Sequence, residues 1–216
     1  MSSSDRSETA LKIATKYRGN VDGKLTNPEP YAAMQNFFPD YLDMTEDYLL
    51  ADVMSRPGLT MREHSMTIIT TLMCIRFEGG LNGHMTWALN VGLSKEEVSE
   101  IIMHASRYGG WPSGKEVLGV INRAYPGFLD NNSENPLEKV WAQPGLSSRE
   151  HIMIKMAAFV ALRFNERLKE LIMDVLDNGL NKEEILEVIM QVTPFSGWPV
   201  GTEALLIADE VFKTKS

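Results

Sequence analysis

At 216 residues, with 44% apolar and 23% charged side chains, the chain has ordinary globular composition and length for one large domain or two small units sharing an interface. A net charge of −8 leaves no basic stripe to meet a run of phosphates and would be repelled by an anionic membrane surface, so neither nucleic acid nor a membrane is an expected partner. The single cysteine, Cys74, cannot close an intramolecular disulfide, the opening Met1–Glu8 stretch has no apolar signal core, and no apolar run approaches the roughly 18 residues of a membrane span, which together predict a cytoplasmic location.

Residues 1–55 read as an N-terminal helical extension whose aromatics Tyr31, Phe37, Phe38, Tyr41 and Tyr48 are expected to pack over the helices that come after it. From Pro57 onward the chain repeats itself. Pro57-Gly58-Leu59 recurs as Pro144-Gly145-Leu146, an offset of 87 residues (57 to 144), and the offset then holds without a gap. Arg62-Glu63-His64 becomes Arg149-Glu150-His151, Arg76-Phe77 becomes Arg163-Phe164, Gly92-Leu93 becomes Gly179-Leu180, Lys95-Glu96-Glu97 becomes Lys182-Glu183-Glu184, and Gly110-Trp111-Pro112 becomes Gly197-Trp198-Pro199. Helical periodicity preserves apolarity but not particular Arg, Glu, Gly, Trp and Pro positions, so duplication is the simplest account. The predicted layout is a first unit over 56–124, a connector over 125–143 and a second unit over 144–216.

Within the first unit Thr60-x-x-Glu63 reads as a capping box that opens a helix, and Ser147-x-x-Glu150 repeats it. Two interleaved apolar stripes come next, Met66, Ile69, Met73 and Ile68, Leu72, Ile75, which predict a central helix with apolar neighbours on more than one side. Glu78-Gly79-Gly80 is expected to turn the chain into a second helix over about 81–91. Gly92 should end it as a left-handed residue. Ser94-x-x-Glu97 caps a third helix that stops at Gly109-Gly110-Trp111-Pro112, and Ser113-x-x-Glu116 starts a fourth. No Asn-Gly or Asp-Gly hairpin lies between alternating segments, and Asn82-Gly83 sits inside a helical pattern, so the fold class is all-α.

Candidate chemistry gathers in the first unit. His84 lies on the stripe Leu81, His84, Ala88, Val91, where apolar surroundings can shift an imidazole; a satisfied core histidine is the commoner explanation, and Leu171 stands at the same place in the second unit. Glu63 could orient a base, but its capping position already accounts for it. His104 and Tyr108 form a polar row beside the apolar one, with Gln191 and Phe195 as counterparts, and a solvent-facing histidine fits equally well. Arg76 and Arg163 sit at a helix end, where a cation is favourable for the macrodipole alone, and carboxylate binding by Arg76 is the rarer alternative. Trp111 and Trp198 read as packing anchors that could also line a pocket. Met61, Met66, Met73, Met85 and Met103 read as core filler. No ligand spacing for a metal and no phosphate-binding glycine loop is present, so neither a metal nor a phosphate held by such a loop is expected.

The run Leu59-Thr-Met-Arg62-Glu63, then His84-x-x-x-Ala88-Leu89-Asn90-Val91-Gly92-Leu93, then Glu96-Glu97-Val98-x-Glu100-Ile101-Ile102-x-His104, then Tyr108-Gly-Gly-Trp111-Pro112 resembles the carboxymuconolactone decarboxylase family. The likeness extends over nearly all of both units, and implies a tandem duplication of an alkylhydroperoxidase-like helical unit. The family's peroxidase-reductase branch needs a Cys-x-x-Cys just before the histidine, where a low-pKa thiolate performs exchange; this chain lacks it. The resemblance to the decarboxylase branch implies a cofactor-free lyase acting on a small carboxylated lactone or β-keto acid. His84 then lies in the active-site cavity and acts with His104 and Glu63, while Arg76, Tyr108 and Trp111 bind substrate. Glu63 sits awkwardly in that set: along straight antiparallel helices it would lie about 24 Å from the turn and His84 about 7 Å. A cofactor-free isomerase or cyclase and a non-catalytic small-molecule-binding or scaffold protein are the alternatives, and the second unit, with Leu171, Gln191 and Phe195, is expected to be non-catalytic.

The family resemblance also implies a homo-oligomer, and two apolar stripes on one helix exceed what a short array covers. Light scattering is expected to report a species larger than the 24.3 kDa chain; a monomer at working concentration refutes this.

Overall fold

The computed structural model describes residues 3–19, 33, 36–110, 113–129, 145–176 and 179–215. Among them every regular element is helical, as the periodicity predicts. The chain divides into two compact units, Met1–Pro57 and Gly58–Ser216.

In the smaller unit α1 (Ser3–Arg18) and α2 (Pro39–Glu46) accompany a π-helical segment, Asp47–Val53. Ala10, Ala14 and Tyr17, spaced along one face of α1, are buried, as are Leu50, Ala51 and Val53, and α1 packs on the π-helix. Arg6 forks onto the Asp52 carboxylate through Nε and Nη2. Within this unit Phe37, Phe38 and Tyr41 are exposed and Tyr48 is half-buried, and Tyr31 lies outside the described residues.

The larger unit holds both repeats. The first comprises α3 (Met61–Cys74), α4 (Glu78–Ala88) with a 3₁₀ turn at Leu89–Val91, α5 (Lys95–Gly109) and α6 (Ser113–Ala124). The second comprises α7 (Ser148–Ala161), α8 (Asn165–Val175), α9 (Lys182–Ser196) and α10 (Trp198–Thr214). As the double stripe predicts, α3 is central, with every residue from His64 to Cys74 buried, although Ile75 at the end of the second stripe is exposed. Four of these are Ser or Thr, and the hydroxyls of Thr67, Thr70 and Thr71 return to the carbonyls of Glu63, Met66 and Thr67 one turn back, which removes the cost of burying them.

The repeats interlock crosswise. Helix α3 packs on α4 and α5 of its own repeat and on α7 and α9 of the other, while α7 packs on α8, α9 and α10 and across onto α3 and α5. Two features of the turns matter for the site. Gly92 is left-handed at φ 89°, as expected. The preceding turn, however, falls at Arg76 and not at the glycines: α4 begins at Glu78, and Gly79 and Gly80 are helical. Arg76 ends α3 at φ 59°, and Arg163 ends α7 in the same way at φ 57°, so the duplication has kept a left-handed non-glycine residue twice.

The capping boxes form at Thr60, Ser94 and Ser147, and a fourth at Asn181, where asparagine stands in the place that Ser94 holds in the first repeat. The side chains of the box expected at Ser113 and Glu116 lie outside the described ones. Two arginines join the four boxes. Arg62 donates to Glu97 at 2.6 Å, to Glu150 at 2.9 Å and to the Gly92 carbonyl at 2.6 Å. Its counterpart Arg149 reaches Glu63 at 2.9 Å and Glu184 at 3.0 Å. Each arginine thus ties the cap of its own repeat's third helix to the cap of the other repeat's first. The hydrogen bond from Arg62 holds the Glu97 carboxyl below the usual carboxylate range against the opposing effect of burial.

Replacing Arg62 by methionine leaves two partly buried carboxylates without their cation, and urea denaturation is expected to show a loss of about 2 kcal/mol. Arg62→Lys should recover little, because an ammonium cannot reproduce the planar fork that serves three acceptors. A loss below about 0.5 kcal/mol in Arg62→Met would show that the interlock is not a source of stability.

Candidate functional site

The candidate residues fall into two groups of contacts, and each group crosses the repeat boundary. In the first, His84, half-buried in the middle of α4, meets Trp87 edge-on at 5.0 Å between ring centroids and Phe195 of α9 at 5.9 Å. On the adjoining helices α3 and α9, buried His64 and buried Gln191 are joined, Nδ1 to Oε1, at 2.6 Å. An amide oxygen accepts, so with the Gln191 amide in this orientation His64 Nδ1 is the donor.

The second group is the repeat-related counterpart, built from α5 and α7. His104 stacks on His151 with centroids 4.9 Å apart and planes 20° apart. The Tyr108 hydroxyl lies 3.5 Å from His104 Nε2, long for a hydrogen bond, and its ring meets Phe159 edge-on at 5.2 Å. His151 Nε2 donates to Glu100 Oε1 at 2.8 Å, and the other Glu100 oxygen accepts the backbone N–H groups of Gly145 and Leu146. Burial, with the nearby charges of His151, Arg107 and Lys155, pushes His104 down to about 4, against a weaker upward pull from Glu100. It is a neutral imidazole at physiological pH, with one nitrogen free to accept a hydrogen bond. Burial raises Tyr108, which stays protonated as a donor.

Several expectations are placed by this geometry. His104 and Tyr108 come together, but they sit with His151 and Phe159, whereas His84 sits with Trp87 and Phe195. Glu63 is engaged as a cap: one carboxylate oxygen accepts from the backbone N–H and the hydroxyl of Thr60, and the other from Arg149. With the turn at Arg76, at 1.5 Å per residue, Glu63 lies about 20 Å and His84 about 12 Å along their helices from it, closer in level than a turn at the glycines would bring them. Arg76 is exposed at its helix end. Trp111 lies outside the described residues. Cys74 is buried at the end of α3, and burial pushes its thiol up to about 12, the opposite of an exchange thiolate. Among the described residues no three His, Cys, Asp or Glu side chains gather where they could hold a metal ion, and no helix is long and apolar enough to cross a membrane.

Sequence reasoning did not single out His64, His151, Glu100 or Gln191 as site residues. The signal was present for two of them: a histidine comes directly after Arg-Glu at both positions of the repeat, in the first turn of a helix destined for the core.

These features define an all-α tandem array with histidines at the crossings between repeats. The carboxymuconolactone decarboxylase family model matches residues 39–123 and again 131–210. The chain belongs to that family. It is similar to the 4-carboxymuconolactone decarboxylase of Acinetobacter baylyi, at 26% identity over 127 residues that make up 58% of this chain and 90% of that protein.

His104 binds fewer protons folded than unfolded between its folded value of about 4 and the ordinary histidine value of 6.5. Stability therefore rises with pH across that window and falls as pH drops through it. His104→Gln copies the residue found at 191. Urea unfolding from pH 7 to 4 is expected to show a shallower loss of stability in this variant than in the parent, and equal slopes would refute a neutral, desolvated His104.

Proposed function

We propose that the chain is a cofactor-free carboxy-lyase acting on a small carboxylated lactone or β-keto acid, with His84 as the proton donor. The observation that carries this reading is the place of His84: half-buried between Trp87 and Phe195, one aromatic from each repeat, in a chain of this family. Similarity to a protein named 4-carboxymuconolactone decarboxylase supports the reaction class.

Aromatic walls strip water from a bound carboxylate, whose charge is dispersed as the carbon–carbon bond breaks and CO₂ leaves. The electron pair moves into the adjacent carbonyl or lactone, giving an enolate, and His84, entering the step as imidazolium, delivers a proton to carbon and is left as neutral imidazole, which takes up a proton from solvent before the next turnover. The substrate is its own electron sink, so the reaction as written uses no cofactor. In this reading Glu63 stays with its cap and its arginine, and His104 takes no part in the proton transfer.

His84→Leu reproduces what the second repeat carries at Leu171, so the variant should fold with little loss of stability. CO₂ release from a panel of carboxylated lactones and β-keto acids is expected from the parent protein and should fall by about 10²-fold or more in the variant. Near-parental turnover in a folded His84→Leu protein removes His84 from the mechanism. No CO₂ from any member of the panel removes the lyase reading itself.

A further inference from the structure

The two repeat-related groups differ most in charge. Around the His104 group stand Arg107, Lys155 and Arg167. Lys155 Nζ lies 5.6 Å from the Phe159 ring and the Arg167 guanidinium 5.7 Å from the Phe164 ring. Phe164 in turn packs 6.0 Å from Phe159, the ring that touches Tyr108. The fields of Arg107 and Lys155 reach His104, and those of Arg107 and Arg167 reach Tyr108. Among the described residues neither Lys155 nor Arg167 has a carboxylate within ion-pair distance. Glu100 is the acid of the group, and its oxygens are taken by His151 and two backbone N–H groups.

At the corresponding positions of the His84 group the duplication places no cation: Pro194 answers Arg107, Ile68 answers Lys155 and Gly80 answers Arg167. One common ancestor site has therefore given a version without cations at these positions and a version with them. In a chain of net charge −8, Lys155 and Arg167 stand on one of two related sites with no carboxylate paired to them among the described residues, beside a tyrosine hydroxyl and an imidazole, and this points to an anion that binds there.

We propose that the crossing of α5 and α7 is a second ligand site, distinct from the one at His84, and that it takes an organic anion with a flat unsaturated or aromatic body and a carboxylate. The body packs on the half-buried Tyr108 and Phe164 rings, both of which rest on the buried Phe159, and Lys155 and Arg167 meet the carboxylate. Tyr108 donates to one of its oxygens. His151, fixed by Glu100, holds the plane of His104 through the stack. This assignment does not depend on the lyase reading, because it concerns binding at residues to which that mechanism gives no step.

The protein has four histidines, so imidazole Cε1–H resonances provide a site-resolved readout once each is assigned by single substitution. Benzoate titrated into the full chain should shift His104 and His151 and leave His84 unmoved, with the same response in His84→Leu; benzamide, the neutral isostere, should do neither. Lys155→Ile, which copies Ile68, should weaken benzoate by about tenfold. Arg167→Gln, an exposed change, should weaken it as well and decides the matter if Lys155→Ile fails to fold. Raised salt should weaken binding further. The proposal is overturned if benzamide binds as well as benzoate, if the shifts fall on His84 and His64, if benzoate does not bind, or if folded variants bind it unchanged. CO₂ assays do not enter any of these outcomes, so failure of the lyase reading and failure of this one are read separately.

Discussion

Four helix N-termini meet around two arginines, and the arrangement of everything else depends on that. A capping glutamate satisfies the free N–H groups at the start of its helix and is favoured by the helix dipole, but four such carboxylates brought to one region would repel. Arg62 and Arg149 remove the conflict by each binding one carboxylate from either repeat. The exchange is reciprocal, so neither repeat can complete its own charge pairing alone. This ties the first helix of one repeat to the third helix of the other, and these crossed pairs carry His64, His104 and His151, while His84 on α4 reaches one of them through Phe195.

Crossing also explains why α3 and α7 are buried on nearly all sides. A helix with one apolar stripe can cover a single neighbour, whereas α3 meets helices of both repeats and so carries two stripes with back-bonded threonines between them. Polar side chains at its start are tolerated only where a partner waits: His64 finds Gln191, and at the equivalent place His151 finds Glu100.

Much of this was legible in the sequence, for identifiable reasons. The constant offset of 87 residues revealed the duplication, because identities of Arg, Glu, Gly and Trp report more than apolar period does. Three of the four caps on the described helices and the left-handed Gly92 follow from local chemistry, and local chemistry is what a single chain displays. The turn at Arg76 did not, since arginine is a poor signal for a left-handed residue and the two glycines beyond it are a better one. The exchange of partners was hidden for another reason. Within-repeat spacing places His84, His104 and Tyr108 on one unit, but only the packing of α5 on α7 and of α4's histidine toward α9 shows that they face opposite groups.

That crossing changes how the divergence of the repeats is understood. Because each group takes its first helix from one repeat and its third from the other, a substitution in either repeat falls into one group or the other according to its helix. The first repeat's histidine at 84 serves the group that Phe195 of the second repeat completes. Its His104 and Tyr108 serve the group to which the second repeat brings His151, Phe159 and Lys155. The exchanges Leu171 for His84 and Gln191 for His104 therefore fall in different crossed groups. They strip an acid–base residue from each crossed group at a different point, leaving one group with an imidazole against aromatic walls and the other with a neutral imidazole among cations. The unit in which the side chains have diverged is the crossing, not the repeat.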